Sequence, residues 1–360
     1  MTATTHPEFS QTTEALDVAK AFPDRVHGRT ILVTGVNLAG IGFTTAQAFA
    51  SQAPANLILT GRSTAKVQEC IDALKQDYPS VNYRVLQLDL SSQKAVRKAA
   101  DEVLSWDDIP AIDVIVNNAG IMFIPKRTIT EDGIELHFAT NHIGHFLFTC
   151  LVMPKLIKAA ESNPKGATRV INVSAGSPQV AAMRWSDRNF EKLGSELPEA
   201  ERPNYRFIKM FGLQNPEEMT YIPLEAYNQT KVANLLFSVG LTNHMLEKHG
   251  ILSMAVHPGV LFTELGRNMS ADTLAAINGM KSSGAFHFKT QGAGASTNLV
   301  AALDPQLSGY EQKENAENYG AYLADCQICE AARPEAISSE QAEKLWKLSE
   351  ELVHQKFEWS

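Results

Sequence analysis

Short runs of apolar and β-branched residues recur along the chain, separated by longer stretches in which apolar positions return every three or four residues. TILVTG (30–35), NLILTG (56–61), NYRVLQLDL (82–90), IDVIVNNAG (112–120), TRVINVS (168–174) and LSMAVHPG (252–259) read as strands. GFTTAQAFASQ (42–52), TAKVQECIDALKQDYP (64–79), SQKAVRKAADEVLSW (92–106) and segments near 134–160 and 226–248 read as helices between them. The strands show no polar alternation, so both of their faces should be buried, as in a parallel sheet with helices on each side. The pattern predicts one α/β, doubly wound parallel sheet whose ligands sit at the carboxyl ends of the strands. No repeat or low-complexity linker divides the chain. Residues 1–28 form a polar extension, 29–330 the main domain and 331–360 a helical tail. Within the domain, 176–225 is rich in proline and aromatics (Trp185, Phe190, Tyr205, Phe207, Phe211, Tyr221) and leaves the carboxyl edge of a strand. Such a long segment reads as a substrate-covering insertion.

Composition narrows the function without choosing it. The 360 residues are 44% hydrophobic and 20% charged, which is ordinary for a globular protein. A net charge of −8 argues against unspecific nucleic-acid binding, which needs a basic surface. There is no uninterrupted apolar run long enough for a membrane span, and the N-terminus lacks the basic-then-apolar pattern of a secretory signal. The cytosol is the expected compartment. The four cysteines, Cys70, Cys150, Cys326 and Cys329, are too few for a disulfide framework. CQIC (326–329) has metal or redox spacing but no second pair, and reads as two ordinary thiols. His142 and His145 share a helical face without a matching carboxylate motif, so local polar contacts are expected of them rather than a metal.

TGVNLAGIG (34–42) joins the first strand to the first helix. Its Gly35, Asn37, Gly40, Ile41 and Gly42 suit a turn that brings backbone amides and a helix N-terminus to a pyrophosphate. The end of the second strand, LTGRSTAK, carries no carboxylate before Glu69 and offers Arg62 and Lys66 instead. A guanidinium there suits a 2′-phosphate and favours NADP(H) over NAD; a solvated loop charge is the competing reading of Arg62. Asp89, followed by Leu90, could accept from an adenine amine or cap the next helix with Ser91. In YNQTK (227–231), Tyr227 and Lys231 are four apart and project from one helical face.

Taken together, TGVNLAGIG, NNAG, NHIGHFLFT, a serine ending strand five, YNQTK and HPGVLFT, in that order over about residues 28–330, resemble the short-chain dehydrogenase/reductase family. NHIGHF and AYNQTKVANLLF resemble its retinol-dehydrogenase-like branch, and the nine-residue glycine turn and the tail resemble fungal members. The resemblance implies a Rossmann-type fold and an NADP(H)-dependent oxidoreductase that interconverts a ketone or aldehyde and its alcohol. Tyr227 would be the acid or base. Lys231 would lower its pKa, helped by an oxidised nicotinamide. Asn141 would fix the active helix, and Asn117, with Ala119 and Gly120, would meet the cofactor's ribose side. Pro258, Gly259, Val260 and Thr263 would border the nicotinamide. In the family the helices at 134–160 and 226–248 often form a homodimer interface, with a monomer as the alternative in long fungal-type members.

Two departures stand out. Four residues, not three, separate the first two glycines of the turn, so the loop must bulge. At the end of strand five, INVSAGS places Ala175 where the family commonly has its carbonyl-polarising serine. A one-residue deletion would put Ser174 there. Ser174 is preferred because a strand end is rigid, with Ser177 the alternative. The aromatic insertion suggests a bulky, largely apolar metabolite. Two other functions stand beside this one: a non-redox family member, and a silent NADP(H)-binding sensor or interaction protein.

Overall fold

The computed structural model describes residues 4–308 and 317–359. Among the described residues, eight strands make one sheet: β1 Thr30–Val33, β2 Asn56–Gly61, β3 Asn82–Gln87, β4 Val114–Asn117, β5 Thr168–Val173, β6 Ile251–His257, β7 Tyr322–Ala324 and β8 Gln327–Ile328, in the spatial order β3-β2-β1-β4-β5-β6-β7-β8. β1 to β7 run parallel, and only β8 returns antiparallel. Every residue of β1, β4 and β5 is buried, which is why these strands read as unbroken apolar runs.

The helices are α1 Ala15–Ala21, α2 Ile41–Ala50, α3 Thr64–Asp77, α4 Gln93–Leu104, α5 Leu136–Phe138, α6 Gly144–Ala160, α7 Tyr205–Met210, α8 Pro223–His249, α9 Ala271–Ser282, α10 Gln291–Leu303 and α11 Ser339–Leu352. One core lies between the sheet and α4, α6, α8 and α11; the other lies against α1, α2, α3 and α10. A π-helical turn, Ala139–Ile143, joins α5 to α6. Such turns rotate the side chains they carry and recur at functional sites; this one carries Asn141. The stretch Leu136–Ala160 is apolar and long enough to cross a bilayer, but it is mostly buried inside the protein, packed against α4 and the sheet.

Described residues near both termini pack into the domain. Thr5 donates to the Asp304 carboxylate through its amide and its hydroxyl, and Gln327 donates to the carbonyls of His6 and Phe9. CQIC has a structural explanation. Asp325 and Cys326 both have positive φ, 51° and 65°, and form the two-residue turn that joins β7 to β8. Cys326 is buried in the core, and all four cysteines are free. At the other end, α11 lies along α8. Its Trp346 packs edge-on to Phe146 of α6 and beside Phe237 of α8, and Phe357 packs on Phe146. The helical face expected to pair with a second copy is thus covered, at these aromatics, by the chain itself.

Candidate active site

A cavity of about 1050 Å³ opens at the carboxyl ends of the strands, centred where the strand order reverses between β1 and β4. Its inner wall holds Gly35, Asn37, Gly40, Ile41, Gly42, Arg62, Lys66, Asp89, Leu90, Ala119, Gly120, Ser174, Ser177, Tyr227, Lys231, Pro258, Gly259, Val260 and Thr263. Of the residues expected from the sequence to act in catalysis or hold the cofactor, Asn117 and Asn141 alone do not line it.

At the first turn, Gly35 has φ +69°, and a Cβ there would lie 2.6 Å from the Ala119 Cα, so only glycine fits. The extra residue of the turn is absorbed by a tight loop in which the Gly40 amide donates to the Asn37 carbonyl, at 3.0 Å, and Leu38 is pushed into solvent. Gly40 precedes α2 in an extended conformation and offers no side-chain cap; its carbonyl accepts from the Phe43 and Thr44 amides, which leaves the Ile41 and Gly42 amides for an anion. The side-chain oxygens of Asn37 and Asn118 are buried at this wall without a hydrogen-bond partner. Open amides beside unpartnered acceptors fit a dinucleotide, which has phosphates to accept and hydroxyls to donate. Arg62 and Lys66 are exposed, with no ion pair to any described residue. Asp89 accepts from the amide and hydroxyl of Ser91, at 3.0 and 2.7 Å, so part of its carboxylate is already engaged in a turn.

The expectation for Asn117 is corrected. Its amide donates to Thr149 Oγ1 and Asn172 Oδ1 (3.1 and 2.9 Å) in the buried space beneath the sheet. Successive residues of a strand face opposite sides, and it is Asn118 that reaches the cavity wall. The Asn118 amide group clamps the turn by donating to the carbonyls of Thr34 and Gly35, at 2.8 and 3.2 Å.

Asn141 works from behind the wall. Its Oδ1 accepts from the Ile121 amide at 2.8 Å, and its Nδ2 donates to the Ile121 carbonyl and to Thr230 Oγ1, both at 3.0 Å. It therefore ties the strand-four loop to the helix that carries Tyr227. His145, whose role sequence reasoning did not find, extends this network. Its Nδ1 lies 3.0 Å from the Asn141 carbonyl, which only accepts, so Nδ1 carries the hydrogen. Burial pulls His145 down to about 4, so the ring is neutral and Nε2 accepts from Thr34 Oγ1 at 2.9 Å. Thr34 Oγ1 in turn accepts from the amides of Asn118 and Ala119, both at 3.0 Å. His142 bonds instead to Ser349 Oγ of α11, at 2.8 Å.

Tyr227 and Lys231 are buried one helical turn apart, with Lys231 Nζ 5.4 Å from the Tyr227 ring centre. Nζ donates to the Val173 carbonyl at 2.8 Å, and Gly120 lies beside it. The expected lowering of the phenol is not what the protein alone provides. Burial pushes Tyr227 up, and the same burial pulls Lys231 down to about 7. Ser174 also departs from its expected part. Its hydroxyl donates to the Lys231 backbone carbonyl at 2.7 Å, so the hydrogen a substrate carbonyl would need is already committed. Ser177 Oγ pairs with Asn228 Oδ1 at 2.9 Å. Among the described residues, no hydrogen bond joins either serine to Tyr227.

The outer wall is apolar. Phe207 and Phe211 come from the 176–225 insertion, which contains the buried Arg184–Asp187 ion pair at 2.6 Å and is tied to the loop before α5 by Asn189, bonded to the Glu135 amide and the Gly133 carbonyl at 2.9 and 3.0 Å. A second cover, not anticipated from sequence, follows β6. There Phe262 and Phe288 stack at 5.1 Å, and Ile277 and Met280 of α9 close the side.

A doubly wound sheet with a glycine turn at its reversal point and a tyrosine–lysine helix beside it defines a nicotinamide-dependent oxidoreductase class. The chain belongs to the short-chain dehydrogenase/reductase family, in its retinol-dehydrogenase-like branch. The family model for short chain dehydrogenases matches residues 29–187. The oxidoreductase fscI of Fusarium equiseti is 40% identical over 251 residues, covering 70% of this chain and 94% of that protein. Human retinol dehydrogenase 14 is 32% identical over 344 residues, covering 92% and 88%. Among solved structures, an uncharacterized protein from Mycobacterium paratuberculosis superposes with a TM-score of 0.60 at 26% identity, covering 95% of this chain and 98% of that one.

Proposed function

We propose that the protein is an NADP(H)-dependent oxidoreductase that interconverts a carbonyl and its alcohol on a bulky, largely apolar metabolite. The observation that carries this reading is the convergence of Tyr227, Lys231 and Gly120 on one cavity wall, held from behind by Asn141. A bound nicotinamide would supply the hydride and, when oxidised, a positive charge near the phenol. The first-turn amides of α2 would hold the pyrophosphate, and Arg62 and Lys66 would meet a 2′-phosphate.

In reduction, Tyr227 is the proton donor at the carbonyl oxygen. Its burial keeps it protonated at neutral pH, which suits an acid. Lys231, pulled down by burial to about 7, lies one helical turn away with Nζ 5.4 Å from the Tyr227 ring centre, and its charged form would favour the phenolate left after the transfer. Asn141 keeps the two registered by holding Thr230 between them. The aromatic outer wall (Phe207, Phe211, Phe262 and Phe288) excludes water and favours a large apolar substrate.

The test is direct. Purified protein with NADPH and a panel of bulky ketones and aldehydes should consume the reduced nicotinamide absorbance, and Tyr227→Phe should abolish that consumption while leaving NADPH binding intact. Turnover that survives Tyr227→Phe would overturn the mechanism. Tight NADPH binding with no turnover of any carbonyl or alcohol would overturn the enzymatic reading.

A further inference from the structure

The site lacks a free hydroxyl where the reaction needs one. Ala175 lines the cavity with no side-chain donor, and its carbonyl is held by Tyr322 Oη at 2.6 Å, so the loop cannot shift readily to present another residue there. Ser174 has spent its hydrogen on Lys231. Ser177 remains, and it sits at the end of a buried polar chain. Ser177 Oγ meets Asn228 Oδ1 at 2.9 Å, and Asn228 Nδ2 meets Glu225 Oε2 at 3.3 Å. Glu225 and Asn228 are three apart on one face of α8, Asn228 directly follows Tyr227, and both Ser177 and Asn228 line the cavity. All three side chains are buried, so each hydrogen in the chain has one of two places to point.

We propose that Ser177 is the hydroxyl that polarises the substrate carbonyl, and that Glu225, acting through the Asn228 amide, decides whether the Ser177 hydrogen is available. The proposal rests on the carbonyl-reduction reading above. An ionised Glu225 only accepts, so Asn228 turns its Nδ2 to it and presents Oδ1 to Ser177, whose hydrogen is then tied up. That is the arrangement observed. When Glu225 takes one proton from solvent it becomes a donor. Its hydroxyl then bonds Asn228 Oδ1, the amide turns over in place, and Nδ2 donates to Ser177 Oγ. The Ser177 hydrogen is released toward the substrate. No bond beyond that one O–H is made or broken. The amide's oxygen and nitrogen ends have nearly the same size, so the turn needs no new space.

The surroundings allow the switch to operate near neutrality. The charged and titratable groups facing Glu225 are Arg184, which carries Asp187 against it, and Tyr205 of α7. Arg184 favours the carboxylate, but its charge is shared with Asp187. Burial outweighs it and pushes Glu225 up to about 7. Ser177 is thus a catalytic residue, and Asn228 and Glu225 are positioning residues.

The test compares pH profiles of carbonyl reduction. Wild-type kcat should fall as pH rises through neutrality, as Glu225 ionises and locks the Ser177 hydrogen. Lys231 titrates in the same range, so Glu225→Gln separates the two. It removes the ionisation, and a neutral amide can meet Asn228 through either its oxygen or its nitrogen at every pH, so the fall attributable to Glu225 should disappear. Ser177→Ala should lower kcat by about 100-fold or more, the usual cost of one oxyanion donor, with NADPH binding unchanged. Ser177→Thr, which restores a hydroxyl, should recover much of the loss. A Ser177→Ala enzyme with wild-type kcat, or a Glu225→Gln enzyme with the wild-type pH profile, would overturn the proposal while leaving carbonyl reduction standing. A wild-type protein that binds NADPH but reduces no carbonyl at any pH would overturn both.

Discussion

Thr34→Val offers a measurement of how the cofactor wall is held. The substitution keeps the shape of the side chain and removes one hydroxyl that serves four groups. That hydroxyl donates to His145 Nε2 and accepts from the amides of Asn118 and Ala119; it also lies 3.5 Å from the Val116 carbonyl. The Asn118 amide has a second acceptor, the Val116 carbonyl at 3.0 Å, so it is not stranded. The Ala119 amide and His145 Nε2 are. A buried polar group left without a partner costs about 1–3 kcal/mol, so two of them place the loss at about 3 kcal/mol after partial relaxation. For a chain of this size each kcal/mol moves the melting temperature by roughly 2 °C, and the expected drop is about 6 °C. NADPH should also bind more weakly, since Ala119 and Gly120 line the cavity and lose their anchor. Thr34→Ser is the control: it keeps the hydroxyl and loses one methyl, about 1 kcal/mol. Thermal unfolding followed by circular dichroism and NADPH titration by fluorescence read the two effects. A valine variant that melts within about 1 °C of the serine variant would refute both the assigned His145 tautomer and the network built on it.

Arg62→Ala should weaken NADPH by about 5–30-fold, corresponding to about 1–2 kcal/mol for an exposed charge-assisted contact, and leave NADH almost unchanged; equal weakening would sink the 2′-phosphate assignment. Trp346→Ala empties a site that is 4% exposed between α11, α6 and α8 and should cost about 3–5 kcal/mol, read by denaturant unfolding. Glu225 also gives a signed pH effect on stability. Its folded pKa of about 7 is raised above the ordinary 4.5, so its contribution is fully present below pH 4.5 and is lost as pH rises through 7. Relative to wild type, Glu225→Gln should therefore gain stability between pH 5 and 7, by up to about 3 kcal/mol. The Lys231 window lies higher, from about 7 to 10.5, and so does not overlap. A constant difference between the two proteins across that range would refute the burial of an ionisable Glu225.

The parallel strands were legible because burial on both faces leaves an unbroken apolar run, as in β1 and β5, and the glycine turn and the tyrosine–lysine spacing stand on that frame. What sequence could not resolve turns on single-residue register. NNAG contains two adjacent asparagines, and only the pleat decides that Asn117 faces the core and Asn118 the cavity. The same holds for Ser174 and Ser177, whose hydroxyls are assigned by contacts to α8, more than 50 positions away. Thr34 carried no signal of its own, because its role exists only through amides 84 and 85 positions later and a ring 111 positions later. β7 and β8 are three and two residues long, too short for periodicity, and the lining residues of α9 are not distinguishable by pattern from ordinary packing.

The tail helix has a consequence for how the molecule is made. Trp346 and Phe357 pack against Phe146 and Phe237, more than 100 positions earlier. During synthesis most of the sheet and the tyrosine helix emerge first, with that aromatic face bare until α11 and Phe357 clear the ribosome. Closing such distant contacts is slow relative to local helix formation. The nascent chain therefore passes through a sticky interval that ends only with α11, and its yield in the cell should depend more on chaperone capacity than on the stability of the finished fold.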